Sequence, residues 1–155
     1  MKFCNLEVPG DIIIGGYDSE SDNFRFFNYR SRAYLDFGNS YENRIYGGTI
    51  SANTDYEVEI GNCYVKNLIT GSNIVSRTAK TLSTRTYTLL VSGSSNQNYS
   101  KNKWYYLKIY DGNTLIRDYI PCYHKTSGEI GLYDQKNGVF YGNDGTGTFE
   151  KGDDV

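Results

Sequence analysis

The sequence predicts an all-β protein, a two-sheet antiparallel β-sandwich, from three features. Turn-forming clusters of Gly, Asn, Asp and Ser recur at short intervals along the 155 residues. The runs between them have the length of strands and are rich in Tyr, Phe, Ile, Val and Thr. No segment sustains a helical repeat. A chain of 17.6 kDa with this spacing has the size of one sandwich domain, which we assign to residues 1–155.

The clearest predicted hairpin lies in "KWYYLKIYDGNTLIRDYI", residues 103–120. Its turn is expected at residues 111–113, because glycine at position 112 adopts a positive φ at little cost. Alternation along the first strand separates two faces. One carries Tyr105, Leu107 and Ile109, and the other carries Trp104, Tyr106, Lys108 and Tyr110. A second hairpin is predicted in "CYVKNLITGSNIVSR", residues 63–77, with its turn at residues 70–73.

Three further segments complete the predicted sandwich. The runs "NFRFFNY", residues 23–29, and "AYLDFG", residues 33–38, are predicted strands, and aromatics on both faces of the first indicate a central strand. Residues 92–103 predict a polar loop. The glycine-rich stretch "GLYDQKNGVFYGNDGTGTF", residues 131–149, resembles a ligand cradle but is explained by turn chemistry. We predict a hairpin there with positive φ at Gly138.

Composition and charge exclude several functional classes. Lys and Arg total 16 against 18 Asp and Glu, interspersed to a net charge of −2, so no basic footprint for nucleic acid is present. No run approaches the roughly 20 apolar residues of a membrane span, and "MKFCNLEVPG" lacks the apolar core of a signal peptide. We therefore expect no nucleic-acid partner, no membrane contact and no signal peptide. The 16 Tyr, 7 Phe and one Trp favour a binding surface.

The residues that could bind a metal lack the usual spacing. Three cysteines and one histidine match the ligand count of a zinc site, but only Cys122 and His124 are close in sequence. The same pair would be poorly aligned as a nucleophile and its base. Oxygen ligands for calcium exist at Asp134, Asn143 and Asp144, without the order of a calcium loop. We predict no metal site and no cofactor, and for calcium the suitable oxygen ligands exist without a supporting motif.

Acidic residues alternate along one predicted strand, "DYEVEI". Asp55, Glu57 and Glu59 share a face, as the carboxylates of retaining glycosidases do on jelly-roll folds. Their order differs from the Glu-x-Asp followed by Glu of those enzymes. The apolar residues between them make this equally a half-buried strand with a solvated face, so no catalytic residue is predicted.

Residues 105–152 carry the motifs of a known family. The order is K-I-Y-D, a turn, L-[VI]-R-D-[FY]-[VI]-P-C, G-x-x-G-L-Y-D, a hairpin into F-Y, and a closing G-T-G-T-F. The chain matches it at residues 108–111, 115–122, 128–134, 140–141 and 145–149. It thus resembles the concanavalin A-like, laminin-G-like jelly-roll domains found in phages and prophages of gut bacteria. The segments before residue 105 resemble the family more loosely. Members of the family often begin with a further strand, and in this chain residues 2–7 are the segment that could replace it. An uncovered sheet edge there would favour a partner or a homo-oligomer.

The resemblance implies a jelly roll that binds a glycan or a protein surface, although no family binding residue can be carried over. We expect a non-enzymatic module of a phage or prophage structural or adhesion protein that recognises surface carbohydrate. Its expected ligand residues are Trp104, Tyr106 and Tyr110, because aromatic rings stack on sugars.

Two alternatives stay open. A small phage-encoded inhibitor of a host defence protein, of the anti-CRISPR type, would act in the host cytoplasm by protein–protein binding, whereas an adhesion module would lie in the virion. The second alternative is a glycoside hydrolase that uses the acidic strand.

Overall fold

The computed structural model describes residues 1–6, 12–19, 22–38, 44–78, 89–90, 101–143 and 148–152. Within these ranges the chain forms thirteen strands in two antiparallel sheets, and no helix is present that could cross a membrane. The predicted class, an all-β two-sheet antiparallel β-sandwich, is confirmed. The chain divides into two compact units, a larger one of Cys4–Asn102 and a smaller one of Met1–Phe3 with Lys103–Val155.

The larger unit contains two groups of strands. One is a sheet in the order β5-β4-β3-β2-β9, and the other is the meander β6-β7-β8. The strands are β2 (Ile12–Ser19), β3 (Asp22–Tyr29), β4 (Arg32–Gly38), β5 (Ile45–Thr49), β6 (Thr54–Gly61), β7 (Tyr64–Asn67), β8 (Asn73–Ser76) and β9 (Leu89–Leu90). The predicted central position of β3 is confirmed, because it pairs with β2 on one side and β4 on the other.

Apolar side chains from both groups of strands fill the core of the larger unit. Phe26, Leu35 and Ile13 come from the β2–β5 sheet, and Val58, Val65 and Val75 come from the β6–β8 meander; all six are at most 1% exposed. β5 and β8 approach closely at Gly47, where an added Cβ would lie 2.0 Å from the carbonyl oxygen of Ile74. Only glycine permits this approach.

The smaller unit contains an antiparallel run in the order β10-β11-β12-β13. Its strands are β10 (Asn102–Asp111), β11 (Thr114–Tyr123), β12 (Ile130–Asp134) and β13 (Val139–Tyr141). A short strand, β1 (Lys2–Asn5), gives its first two residues to this unit and its last two to the larger one. The predicted β10–β11 hairpin is confirmed, with Gly112 in its turn at φ 56°.

The β12–β13 hairpin confirms the interpretation of the glycine-rich stretch as turn chemistry, with Gly138 at φ 70°. Asp134 is fully buried, and its carboxylate accepts hydrogen bonds from the backbone N–H of Asp118 (3.0 Å) and Lys136 (3.1 Å) and from Asn137 Nδ2. Burial raises the pKa of Asp134, but these donors together outweigh burial and the pKa is lowered. The glycines at positions 145 and 147 lie outside the described residues.

Candidate functional site

The three aromatic residues predicted to bind a ligand all lie on β10. The β10–β11 pair contains a β-bulge next to Ile109 and Tyr110, and its extra residue is Ile116 on β11. Because the extra residue belongs to β11, alternation along β10 still places Tyr110 on the side of Trp104 and Tyr106. Their shared role in binding stays a prediction.

Burial distinguishes Tyr110 from the other two predicted residues. Tyr110 is 54% exposed, whereas Trp104 and Tyr106 are half-buried. The Nε1 of Trp104 is buried and has no hydrogen-bond partner in the part of the chain that the structure describes. Trp104 and Tyr106 therefore offer only a fraction of their rings to a ligand, and their binding role stays a prediction.

The cysteine and histidine residues form no described metal site. Within the described ranges, no group of three or more His, Cys, Asp or Glu side chains could hold a metal ion. Burial raises the pKa of the Cys122 thiol, although a backbone hydrogen bond from Tyr133 partly offsets this, and a thiol of raised pKa is a weak nucleophile. His124 instead closes its own turn, with Nδ1 accepting from the Ser127 N–H at 3.3 Å.

The predicted acidic residues lie on the outward face of β6. Asp55 and Glu59 are exposed and Glu57 is half-buried, while the alternate Tyr56 and Val58 are buried. Glu59 accepts a hydrogen bond from the Tyr64 hydroxyl, and that bond is the main reason why the pKa of Tyr64 is raised.

The three residues considered as oxygen ligands for calcium differ in their surroundings. The carboxylate of Asp134 is occupied by its turn, and Asn143 is exposed. Asp144 lies outside the described residues.

The larger unit carries a different cluster, on the face of β3–β5 that points away from its core. Core-facing and outward residues alternate along these strands, so the second aromatic row of β3 is directed outward. We call this surface the arginine–aromatic face. It consists of Arg25, Phe27, Tyr29, Arg32, Tyr34, Asp36, Arg44 and Tyr46.

Asp36 is fully buried and organises this face. Its carboxylate accepts hydrogen bonds from Arg25 Nη2 at 2.7 Å, from Arg44 Nε at 2.9 Å and from Arg44 Nη2 at 3.1 Å. The two arginine side chains keep 18% and 40% of their surface exposed. One buried carboxylate therefore fixes two guanidinium groups at a solvent-accessible surface.

The aromatic rings of the face form a connected row across three strands. Phe27 and Tyr34 are cross-strand partners whose rings stack with centroids 4.9 Å apart. The ring centroid of Tyr34 also lies 6.2 Å from that of Tyr46 and 6.4 Å from that of Tyr29. The Arg44 guanidinium lies 5.2 Å from the Phe27 ring centroid and 5.9 Å from that of Tyr34. Because Tyr46 is 66% exposed, the row ends in a ring that is open to solvent.

The turn between β3 and β4 is strained. Both of its central residues, Arg30 (φ 49°) and Ser31 (φ 64°), adopt the left-handed conformation that Asn-Gly normally supplies. This conformation costs roughly 1–2 kcal/mol for each non-glycine residue. The Arg30 guanidinium lies 5.2 Å from the Tyr29 ring centroid, and the Ser31 carbonyl accepts from the Ile50 N–H at 3.0 Å. The turn thus adds a further cation to the rim of the arginine–aromatic face.

Sequence reasoning missed this face, although a signal for it exists. In each of the three strand regions, arginine and aromatic residues occupy alternate positions and therefore one face of the strand. The segments are Arg25-x-Phe27-x-Tyr29, Arg32-x-Tyr34-x-Asp36 and Arg44-x-Tyr46. Aromatic residues on both faces of β3 predict a central strand, and by themselves they do not show that one face carries arginines. An arginine on this same face of each strand is the feature that distinguishes the face from a second core face.

No protein-family model, no curated protein and no solved structure matches this chain. The resemblance to phage jelly-roll domains therefore stays a prediction. The geometry of the described residues carries the functional argument.

Proposed function

We propose that the protein is a non-enzymatic carbohydrate-binding module whose ligand surface is the arginine–aromatic face. The observation that supports this most is the row of rings from Phe27 to Tyr46 beside guanidinium groups that Asp36 holds in place. Aromatic rings stack on the apolar faces of sugars, and fixed N–H donors bind sugar oxygens.

The position of the residues supports binding with little reorganisation. Phe27 and Tyr34 lie on paired strands of a sheet, and their stacked rings hold each other's orientation. Ligand groups that are ordered before binding lose less conformational entropy when the complex forms. The three strands β3, β4 and β5 span about 10 Å between their outer axes, which gives an extended surface for an oligosaccharide chain.

The family resemblance of residues 105–152 suggests the biological setting. On that basis, the module belongs to a phage or prophage structural or adhesion protein that recognises carbohydrate at a cell surface. The face in β3–β5 replaces Trp104 and Tyr106 as the ligand surface in this proposal, because it combines the exposed rings of Tyr29 and Tyr46 with guanidinium groups that Asp36 holds.

A glycan array with purified protein and two variants tests the proposal. Tyr46→Ala removes the most exposed ring of the face, and Tyr110→Ala removes an exposed tyrosine of the smaller unit. We expect wild-type protein and Tyr110→Ala to bind the same glycans and Tyr46→Ala to lose them, with equal melting temperatures for all three. Loss of binding in Tyr110→Ala alone would return the site to β10, and an array without any bound glycan would refute the carbohydrate assignment.

A second candidate function is inhibition of a host defence protein by covering its surface. It is favoured by the same composition, since Tyr and Arg dominate the energetic centres of protein interfaces. Co-purification of a host protein with wild-type chain, abolished by Tyr46→Ala and kept by Tyr110→Ala, would support it. Absence of the protein from purified virions would separate it further from the adhesion role.

A further inference from the structure

The charge of the arginine–aromatic face indicates which class of sugar it binds. Four arginines lie on the face or at its rim: Arg25, Arg30, Arg32 and Arg44. Among the described residues of this surface, Asp36 is the one acidic side chain beside these four arginines. The whole chain has a net charge of −2, so this concentration of arginine is a local property.

The described partners of Arg25 accept from only part of its guanidinium. A guanidinium carries five N–H groups, and Asp36 receives only one of those of Arg25. The Arg25 side chain is 18% exposed, so a ligand on the face can accept a further hydrogen bond from it.

The Arg44 guanidinium lies beside the row of rings. Arg44 lies over Phe27 and Tyr34, and the ring of Tyr34 contacts the exposed ring of Tyr46. A sugar ring stacked on Tyr46 therefore has the Arg44 guanidinium beside it. An anionic substituent on that sugar forms a charge-assisted hydrogen bond, which is stronger than a bond to a neutral hydroxyl.

We infer that the ligand is an anionic saccharide, in which a sugar ring stacks on the tyrosines and a carboxylate or sulfate pairs with the arginines. This inference rests on the proposed carbohydrate function and adds the requirement for negative charge. Carboxylated and sulfated sugars share the chemistry, and both are included in the test.

The test compares glycans that differ only in charge. Oligogalacturonate is measured against its methyl ester, and a sulfated oligosaccharide against its desulfated form, by fluorescence anisotropy at two salt concentrations. In at least one of the two pairs, we expect the acidic form to bind at least about tenfold more tightly than its neutral counterpart. The reason is that hydrogen bonds to charged groups contribute more than those between neutral groups. The affinity should fall as salt rises.

Variants locate the effect on the face. Arg44→Gln and Arg32→Gln should each remove most of the preference for the acidic form, and Lys125→Gln, an exposed charge of the smaller unit, should keep it. Arg32 lies outside the Asp36 hydrogen bonds, so its variant reports on binding even if Arg44→Gln disturbs the fold.

Three results would overturn the inference. Equal binding of acidic and neutral glycans would refute the charge requirement and leave the carbohydrate function intact. Absence of binding to any glycan, charged or neutral, would refute both. Tighter binding of single-stranded oligonucleotides than of any glycan would assign the face to nucleic acid, which also combines stacking with phosphate charge.

Discussion

Replacement of Asp36 by Asn should destabilise the larger unit substantially. Asp36 is completely buried and accepts three hydrogen bonds from two arginines. Asn keeps the shape but directs an amide N–H₂ at guanidinium donors and removes the negative charge that Asp36 supplies to two cations. Breaking a fully buried pair costs about 3–5 kcal/mol. Because Arg25 and Arg44 are 18% and 40% exposed, water solvates them partly, and we expect a loss of about 2–3 kcal/mol.

The assay is equilibrium urea denaturation of wild-type protein, Asp36→Asn and a matched control, Asp118→Asn. Asp118 pairs with Lys108 at 3.3 Å, but the lysine is 43% exposed and the aspartate 15% exposed. This control should lose less than about 1 kcal/mol. If Asp36→Asn lost no more than Asp118→Asn, the idea that a buried carboxylate organises the arginine–aromatic face would be refuted.

Three further predictions concern the turns and the core. Ser31→Gly should raise the free energy of unfolding by about 0.5–1 kcal/mol, measured by urea denaturation, because glycine relieves the left-handed strain; a loss of stability would contradict this. Gly47→Ala should cost about 1–3 kcal/mol by overpacking against β8, whereas Gly48→Ala, whose Cβ would meet its nearest atom at 3.5 Å, should cost much less; equal losses would contradict the close approach. The lowered pKa of Asp134 means that its ionised form stabilises the fold above pH 3.8, the ordinary value, and that this contribution is lost as the pH falls through the lower folded-state pKa. Denaturation curves from about pH 5 to pH 2 should therefore show a shallower loss of stability in Asp134→Asn than in wild-type protein, and parallel curves would contradict the assignment.

Turn chemistry made much of the fold predictable from the sequence. Gly112 and Gly138 adopt positive φ at the two predicted hairpin turns of the smaller unit, as does Gly71 in the β7–β8 turn. The central position of β3 followed from aromatic residues on both of its faces. The glycine turns depend on a few neighbouring residues, so the local sequence specifies them.

The arrangement of the arginine–aromatic face depends on contacts that the pattern within one strand does not specify. The bulge in the β10–β11 pair, whose extra residue is Ile116 on β11, has no residue signature. The burial of Asp36 depends on the register that aligns it with Arg25 and on the approach of Arg44 from outside β4. Strand register arises from pairing between distant segments, which the alternation within one strand does not specify.

The most direct test of the central claim is a backbone amide NMR titration with the glycan that binds most tightly on the array. The proposed ligand surface predicts the largest shift changes in β3, β4 and β5, centred on Tyr34 and Tyr46, with small changes in β10. Changes centred on Trp104 and Tyr106 and absent from β3–β5 would contradict it and place the ligand on the smaller unit.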